Sequence, residues 1–234
     1  MEETKRTARL AGLLYLVSSI PGAFALLYVP GKVFVKGDAA ATAERIRASE
    51  TLLRVGIAAE LLGMTLFIFV ALVLYRLFKP VREKAALAMM VLILLSIPVS
   101  FLNVSTEFAA LDFAGGGTAS TVLSPLDPRQ RDALAYLSLH LHGLGLIVVA
   151  QVFWGLWLFP FGICVIRSGF IPRFLGVLLM VAGCGYIAAS LAELLLPQDA
   201  HAISRVTSVL TAAELPIIVW LLVWGAKPQR RAPA

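Results

Sequence analysis

The chain has 234 residues, 59% of them hydrophobic and 15% charged, with a formal net charge of +6 and a mean hydropathy of +0.88. Soluble domains average about 45 to 50% apolar and about 25% charged residues, so the solvent for most of this chain is lipid. The positive charge does not point to nucleic acid: Lys and Arg sit at the ends of apolar runs, with no basic stripe or aromatic platform beside them.

Lys5, Arg6 and Arg9 precede an apolar run from Leu10 to Val29, the first predicted span. Ala23-Phe24-Ala25 imitates the small-x-small cleavage site of a secretory signal. The run continues past it to Val29, which favours a retained helix ended by Pro30-Gly31. Residues 31–50 are polar. Asp38 is a good N-cap for a short amphipathic helix between the first two spans, with Ala39, Ala43 and Ile46 on one face. Such a helix lies on the membrane surface or over the mouth of a bundle. The second span, about Leu52 to Leu77, carries Arg54 and Glu60 in its first third, and Arg76, Lys79, Arg82 and Lys84 then surround Pro80 in a basic turn.

In the third span, Ala85 to about Leu111, Ser96, Ser100, Asn103 and Glu107 fall on one helix face, which is expected to avoid lipid. Residues 112–131 read as a Gly-, Ser- and Pro-containing loop, and Asp132 to Leu139 as an interfacial helical turn. Next comes HLHGLGLIVVAQVFWGLWLFPFGICVIR, polar only at its first end, where His140, His142 and Gln151 sit. The 24 uncharged residues between His142 and Arg167 exceed the ~20 a helix needs to cross the hydrocarbon. Arg167 to Arg173 form another basic turn. The fifth span, Phe174 to Leu196, ends in Tyr186, Ser190 and Glu193 on one face; the sixth, about Ile203 to Trp224, begins with Ser204, Thr207, Thr211 and Glu214 on one face. The fold expected is therefore all-α, an integral membrane bundle of six transmembrane helices forming a single domain over residues 1–234. Cys164 and Cys184 differ in expected depth by ~12 Å, too far for a disulfide.

Twelve of the 20 Lys and Arg fall at the two termini and the turns at 76–84 and 167–173, and only Glu2, Glu3 and Glu83 of the 14 acids lie on that side. The positive-inside rule then makes both termini cytoplasmic. With that orientation Glu60, Glu107, His140, His142, Glu193 and Glu214 all belong to the outer half of the bilayer, whereas the inner half is almost purely apolar. A conduction path needs polar groups at every depth. Pro21, Pro98, Pro160 and Pro216 interrupt the first, third, fourth and sixth spans in a way that resembles an inverted repeat, yet inversion would send half of the acids inward.

Ionisable groups within spans cost about 2.5 to 3.5 kcal/mol each on insertion scales and are functional-site hypotheses by default. Three arrangements fit these. Local pairing would join Glu60 to Arg54, Glu193 to Arg205 and Glu214 to a histidine. A wet pocket for a small molecule or lipid would be lined by Arg54, Glu60, Asn103, Glu107, His140, His142, Gln151, Glu193, Thr211 and Glu214. A metal site would draw on Glu and imidazole, with Glu107, His140 and Glu214 as candidate ligands. His140 and His142 are ~200° apart on a helix and cannot chelate together. The leading expectation is the binding pocket; the alternatives are a metal-dependent intramembrane hydrolase and a structural subunit of a membrane complex. No phosphate loop, nucleophile elbow or CxxC is present. A haem would need a second axial ligand beyond His140 or His142, and no cofactor, nucleic-acid partner or protein partner is assigned.

TARLAGLLYL at 7–16, GDAAATAERIRASETLLRVGIAAELLG at 37–63, LFKPV at 77–81 and RSGFIPRFLGVLLMVAGCGYIAAS at 167–190 resemble the bacterial membrane family catalogued as domain of unknown function 4386. The resemblance implies a multi-pass protein of the bacterial inner membrane and carries no catalytic residues with it.

Overall fold

The computed structural model describes residues 2–115 and 126–227, apart from the side chains of Leu146, Ile147 and His201. The predicted loop over residues 112–131 therefore lies largely outside the described residues. Those described are mostly helical, joined by short turns, without a strand among them. Helix α1 is Glu2–Val33, α2 is Ala39–Ala48, α3 is Glu50–Phe113, α4 is Pro128–Ser168 and α5 is Arg173–Leu195. Helix α6 joins Ala200–Thr211, a 3-10 turn at Ala212–Glu214 and Leu215–Val223. Five of these are long and apolar enough to cross a membrane. The longest, α3, has 64 residues and is broken at Arg82 (φ −158°, ψ 89°), two residues after Pro80. Its two arms, residues 50–81 and 83–113, match the second and third expected spans, giving six apolar segments in all. Leu27, Leu102 and Val209 are among many large apolar side chains left exposed, as a lipid environment requires. This is an all-α, multi-pass membrane protein.

Helix punctuation follows local chemistry. Asp38 caps α2, its Oδ1 accepting from the Ala41 amide at 2.9 Å. Asp127 and Gln130 form a reciprocal capping box at the start of α4, and the helical turn expected over Asp132 to Leu139 leads directly into the fourth span within one 41-residue helix. Two π-helical turns widen the ladder, at Phe24–Tyr28 after Pro21 and at Gly145–Ala150. Gly169, at φ 69°, takes the left-handed conformation that ends α4.

The chain divides into two compact units, the first made of Met1–Val17, Leu66–Pro98 and Ile147–Ala234, the second of Ser18–Thr65 and Val99–Leu146. In the first, α4 and α5 run together along a seam of glycines spaced by seven. A Cβ at Gly162 would come within 2.6 Å of the Gly176 carbonyl, and one at Gly155 within 2.7 Å of the Gly183 carbonyl. Small residues let backbones approach where no hydrophobic effect drives helices together. Phe78 and Phe161, both fully buried, meet edge to face at 5.7 Å. In the second unit, α2 packs Ala43 and Ile46 against Ala110, Leu111 and Ala135. It is tied down by an Arg47 to Asp132 ion pair at 2.9 Å and by the Gly37 amide donating to the Tyr136 hydroxyl at 3.0 Å.

Candidate functional site

The second unit brings Glu60, Glu107 and His142 together. Glu60 is in the first arm of α3, Glu107 in the second, and His142 near the end of the regular part of α4. All three are nearly sealed from the surface, with 2%, 3% and 6% of their area exposed. His142 Nε2 stands 3.5 Å from Glu60 Oε2 and 3.7 Å from Glu107 Oε1. One donor atom from each residue can be chosen so that all lie within 4.8 Å of one another.

Local sequence sets each position. Gly56, Glu60 and Gly63 share one face of α3. A Cβ at Gly56 would fall 2.9 Å from the Val29 side chain, and one at Gly63 would fall 3.2 Å from the Ser18 carbonyl. The two glycines therefore draw α1 against α3 on either side of the carboxylate. Asn103 and Glu107 are one turn apart on the second arm. The Asn103 amide nitrogen donates to the His142 carbonyl at 2.8 Å and lies 3.3 Å from His142 Nδ1, while the Asn103 carbonyl oxygen lies 3.4 Å from that nitrogen. A Cβ at Gly145 would come within 3.0 Å of Asn103 Cγ, so only glycine there leaves room for this amide.

The carboxylates of the cluster are under-satisfied. Neither oxygen of Glu60 and not Glu107 Oε2 has a hydrogen-bond partner among the described residues. Buried polar groups in folded proteins are almost always hydrogen-bonded, and in hydrocarbon each orphan costs several kcal/mol. Such an arrangement leaves these oxygens open to a proton, a hydrogen-bond donor or a bound cation.

The remaining residues singled out from the sequence lie elsewhere. Arg54 is exposed and pairs with Glu50 at 2.7 Å, in place of the expected pairing with Glu60. His140 is exposed and stacks on Tyr136 at 6.3 Å between ring centroids; two residues from His142, it faces the other way. Glu214, expected beside a histidine, instead accepts from the Tyr15 hydroxyl and faces Tyr186, all in the first unit. Gln151 and Glu193 are half-buried in that unit, and the Thr211 hydroxyl turns back to the Ser208 carbonyl at 3.1 Å. Of the candidate metal ligands named from the sequence, Glu107 is in the cluster; the imidazole beside it is that of His142, and the second carboxylate is Glu60. The missed signal was a face: Ala135, Ser138 and His142, spaced i, i+3, i+7 on α4, are all buried, and that small-residue periodicity separates His142 from His140. Cys164 is buried, Cys184 is exposed, and both are free.

The family described as Domain of unknown function (DUF4386) matches residues 10–225. The chain belongs to that family. The match takes in every member of the cluster, so Glu60, Asn103, Glu107 and His142 are part of the DUF4386 region. No curated protein and no solved structure matches the chain.

Proposed function

We propose that this DUF4386 protein binds a small cation within its membrane-spanning region, at Glu60, Glu107 and His142. The observation that carries the reading is the set of three buried carboxylate oxygens without hydrogen bonds, facing a neutralisable gap beside an imidazole. Two anionic groups a few ångströms apart in a water-poor interior repel each other. A bound cation converts that repulsion into attraction. The donors' mutual separation of at most 4.8 Å fits a ligand of one or a few atoms, which narrows the small-molecule or lipid pocket expected from the sequence. The excess of Lys and Arg at the termini and at two turns supports a bacterial inner-membrane protein with both termini cytoplasmic and the cluster toward the outer face.

The test is thermal unfolding of the detergent-purified, chelator-treated protein against sodium, methylammonium, calcium, manganese and zinc salts. A ligand present at about 100 times its Kd adds about 2.7 kcal/mol to stability, or roughly 5 to 10 °C in Tm for a chain of this size. At least one cation is expected to give such a shift in the wild-type protein and none in the Glu60→Gln/Glu107→Gln variant. No shift with any salt overturns the reading.

A further inference from the structure

We infer that the cation is a divalent transition metal, held by Glu60, Glu107 and His142 with a coordination position left open. This rests on the reading of the cluster as a cation site and goes further by naming the ion's class and the atoms that hold it.

Distance is the first ground. Ligand atoms about 2.0 to 2.2 Å from a tetrahedral ion stand roughly 3.3 to 3.6 Å from one another. The separations of 3.5 and 3.7 Å from His142 Nε2 to the two carboxylates are already at or close to that value, and with all three donor atoms within 4.8 Å of one another the carboxylates need to close on the ion by no more than about 1 Å. An ammonium group is a poorer fit: it contacts acceptors at about 2.7 to 2.9 Å, which spreads them roughly 4.5 Å apart. The donor set is the second ground. Calcium takes 6 to 8 oxygen ligands, whereas two carboxylates and an imidazole are the mixed O and N set of zinc, iron(II) and manganese sites. Charge is the third. Two carboxylates and a neutral imidazole around a dipositive ion sum to zero, which suits a site with 2 to 6% exposure inside apolar helices; a monovalent ion leaves one negative charge uncompensated.

The surroundings of His142 supply an independent observation. A metal-bound imidazole uses one nitrogen for the ion and donates the proton on the other to a backbone carbonyl or carboxylate. His142 Nδ1 lies 3.4 Å from the Asn103 carbonyl oxygen, and a proton there leaves the Nε2 lone pair directed at the two glutamates. Asn103 also holds the His142 backbone carbonyl at 2.8 Å. Asn103 is thus a positioning residue: its backbone carbonyl fixes the tautomer and its side-chain amide holds the His142 backbone, neither touching the ion. Three protein ligands leave a fourth tetrahedral position vacant for water or another ligand, the pattern of sites that do more than hold a fold together.

The experiment is equilibrium binding of zinc, manganese and cobalt(II) to the chelator-stripped full-length protein in detergent, with the cobalt absorption spectrum as a readout of coordination geometry. The wild type is expected to take up one ion per chain. Glu60→Gln, Glu107→Gln and His142→Gln each weaken binding at least 100-fold, and Asn103→Ala, which keeps the backbone carbonyl beside Nδ1 and loses only the bond that holds the His142 backbone, weakens it about 10-fold. Asn103→Ala also changes the cobalt spectrum, which a merely structural role would leave alone. His140→Ala binds as wild type, and helicity by circular dichroism confirms that each variant is folded. Uptake unchanged in the folded Glu60→Gln and His142→Gln variants overturns the assignment. If methylammonium or sodium stabilises the protein through the same residues and divalent metals do not, the metal assignment falls while the cation reading stands; if nothing binds, both fall.

Discussion

Glu214 in the first unit accepts from the Tyr15 hydroxyl and has Tyr186 beside it, whereas Glu60 in the second has neither oxygen hydrogen-bonded. Both are glutamates in apolar helices, and a sequence reading treats them alike. Their surroundings do not. Tyr15 packs edge-on against Phe67 at 5.4 Å and beside Trp157 at 6.1 Å, so the phenol that satisfies Glu214 is itself locked by aromatic packing. Glu60 has another carboxylate and an imidazole for neighbours, none of which satisfies it. A polar group that is fully partnered contributes to the fold; one that is left open contributes to binding.

The sharpest way to break this contrast is to remove each carboxylate in the cation-free protein. Glu214→Leu strands the phenols, and the expected loss is roughly 3 kcal/mol, read from the SDS concentration that unfolds the protein. Glu60→Leu removes an unsatisfied buried acid and its repulsion with Glu107, and is expected to leave stability unchanged or raise it by about 1 kcal/mol. Equal destabilisation by the two substitutions would mean that Glu60 has a structural partner after all. Tyr15→Phe keeps the ring packing and deletes only the donor. A loss of about 1 kcal/mol is expected, within the range measured for hydrogen bonds inside membranes, with cation binding unaffected.

Which of these features could be read from the chain follows from their range. Apolar periodicity, the Asp38 cap and the break beside Pro80 are local, and they gave most of the helices; Pro30-Gly31 does not end α1 as expected, since Pro30 sits in the first turn of a helical segment that runs on to Val33. The contrast between the histidines was half legible: a two-residue offset dictates that only one can face inward, but the rotation of α4 about its axis is set by packing. Ala135 and Ser138 mark the buried face, and they select His142. The Gly-x-x-x-Glu-x-x-Gly spacing around Glu60 and the seven-residue glycine intervals on α4 and α5 were likewise present in the sequence, but small residues in a span have many possible neighbours. The pairing of Glu214 with Tyr15 joins residues 199 apart, and no local pattern encodes it. Arg54 illustrates the opposite error, since a nearer acid one helical turn away, Glu50, captures it.

The smallest effect compares two backbone carbonyls, one just before and one within the π turn at Gly145–Ala150. A π turn shifts the backbone register, so carbonyls near it are open to side-chain donors. Just before the turn the His142 carbonyl accepts from Asn103 at 2.8 Å; within the turn the Val148 carbonyl accepts from the buried Ser190 hydroxyl at 2.6 Å. The two bonds are alike in type and differ in what they steady. Ser190 fixes backbone alone, so Ser190→Ala is expected to cost about 0.6 kcal/mol in unfolding and to leave cation affinity where it was. Asn103→Ala removes a similar bond on the residue that carries the ligating ring, so its expected signature is a comparable stability loss together with the weakened binding already described. If Ser190→Ala weakened binding as much as Asn103→Ala, the bond to the His142 carbonyl would be irrelevant and the integrity of the π turn itself would be what holds His142 in place.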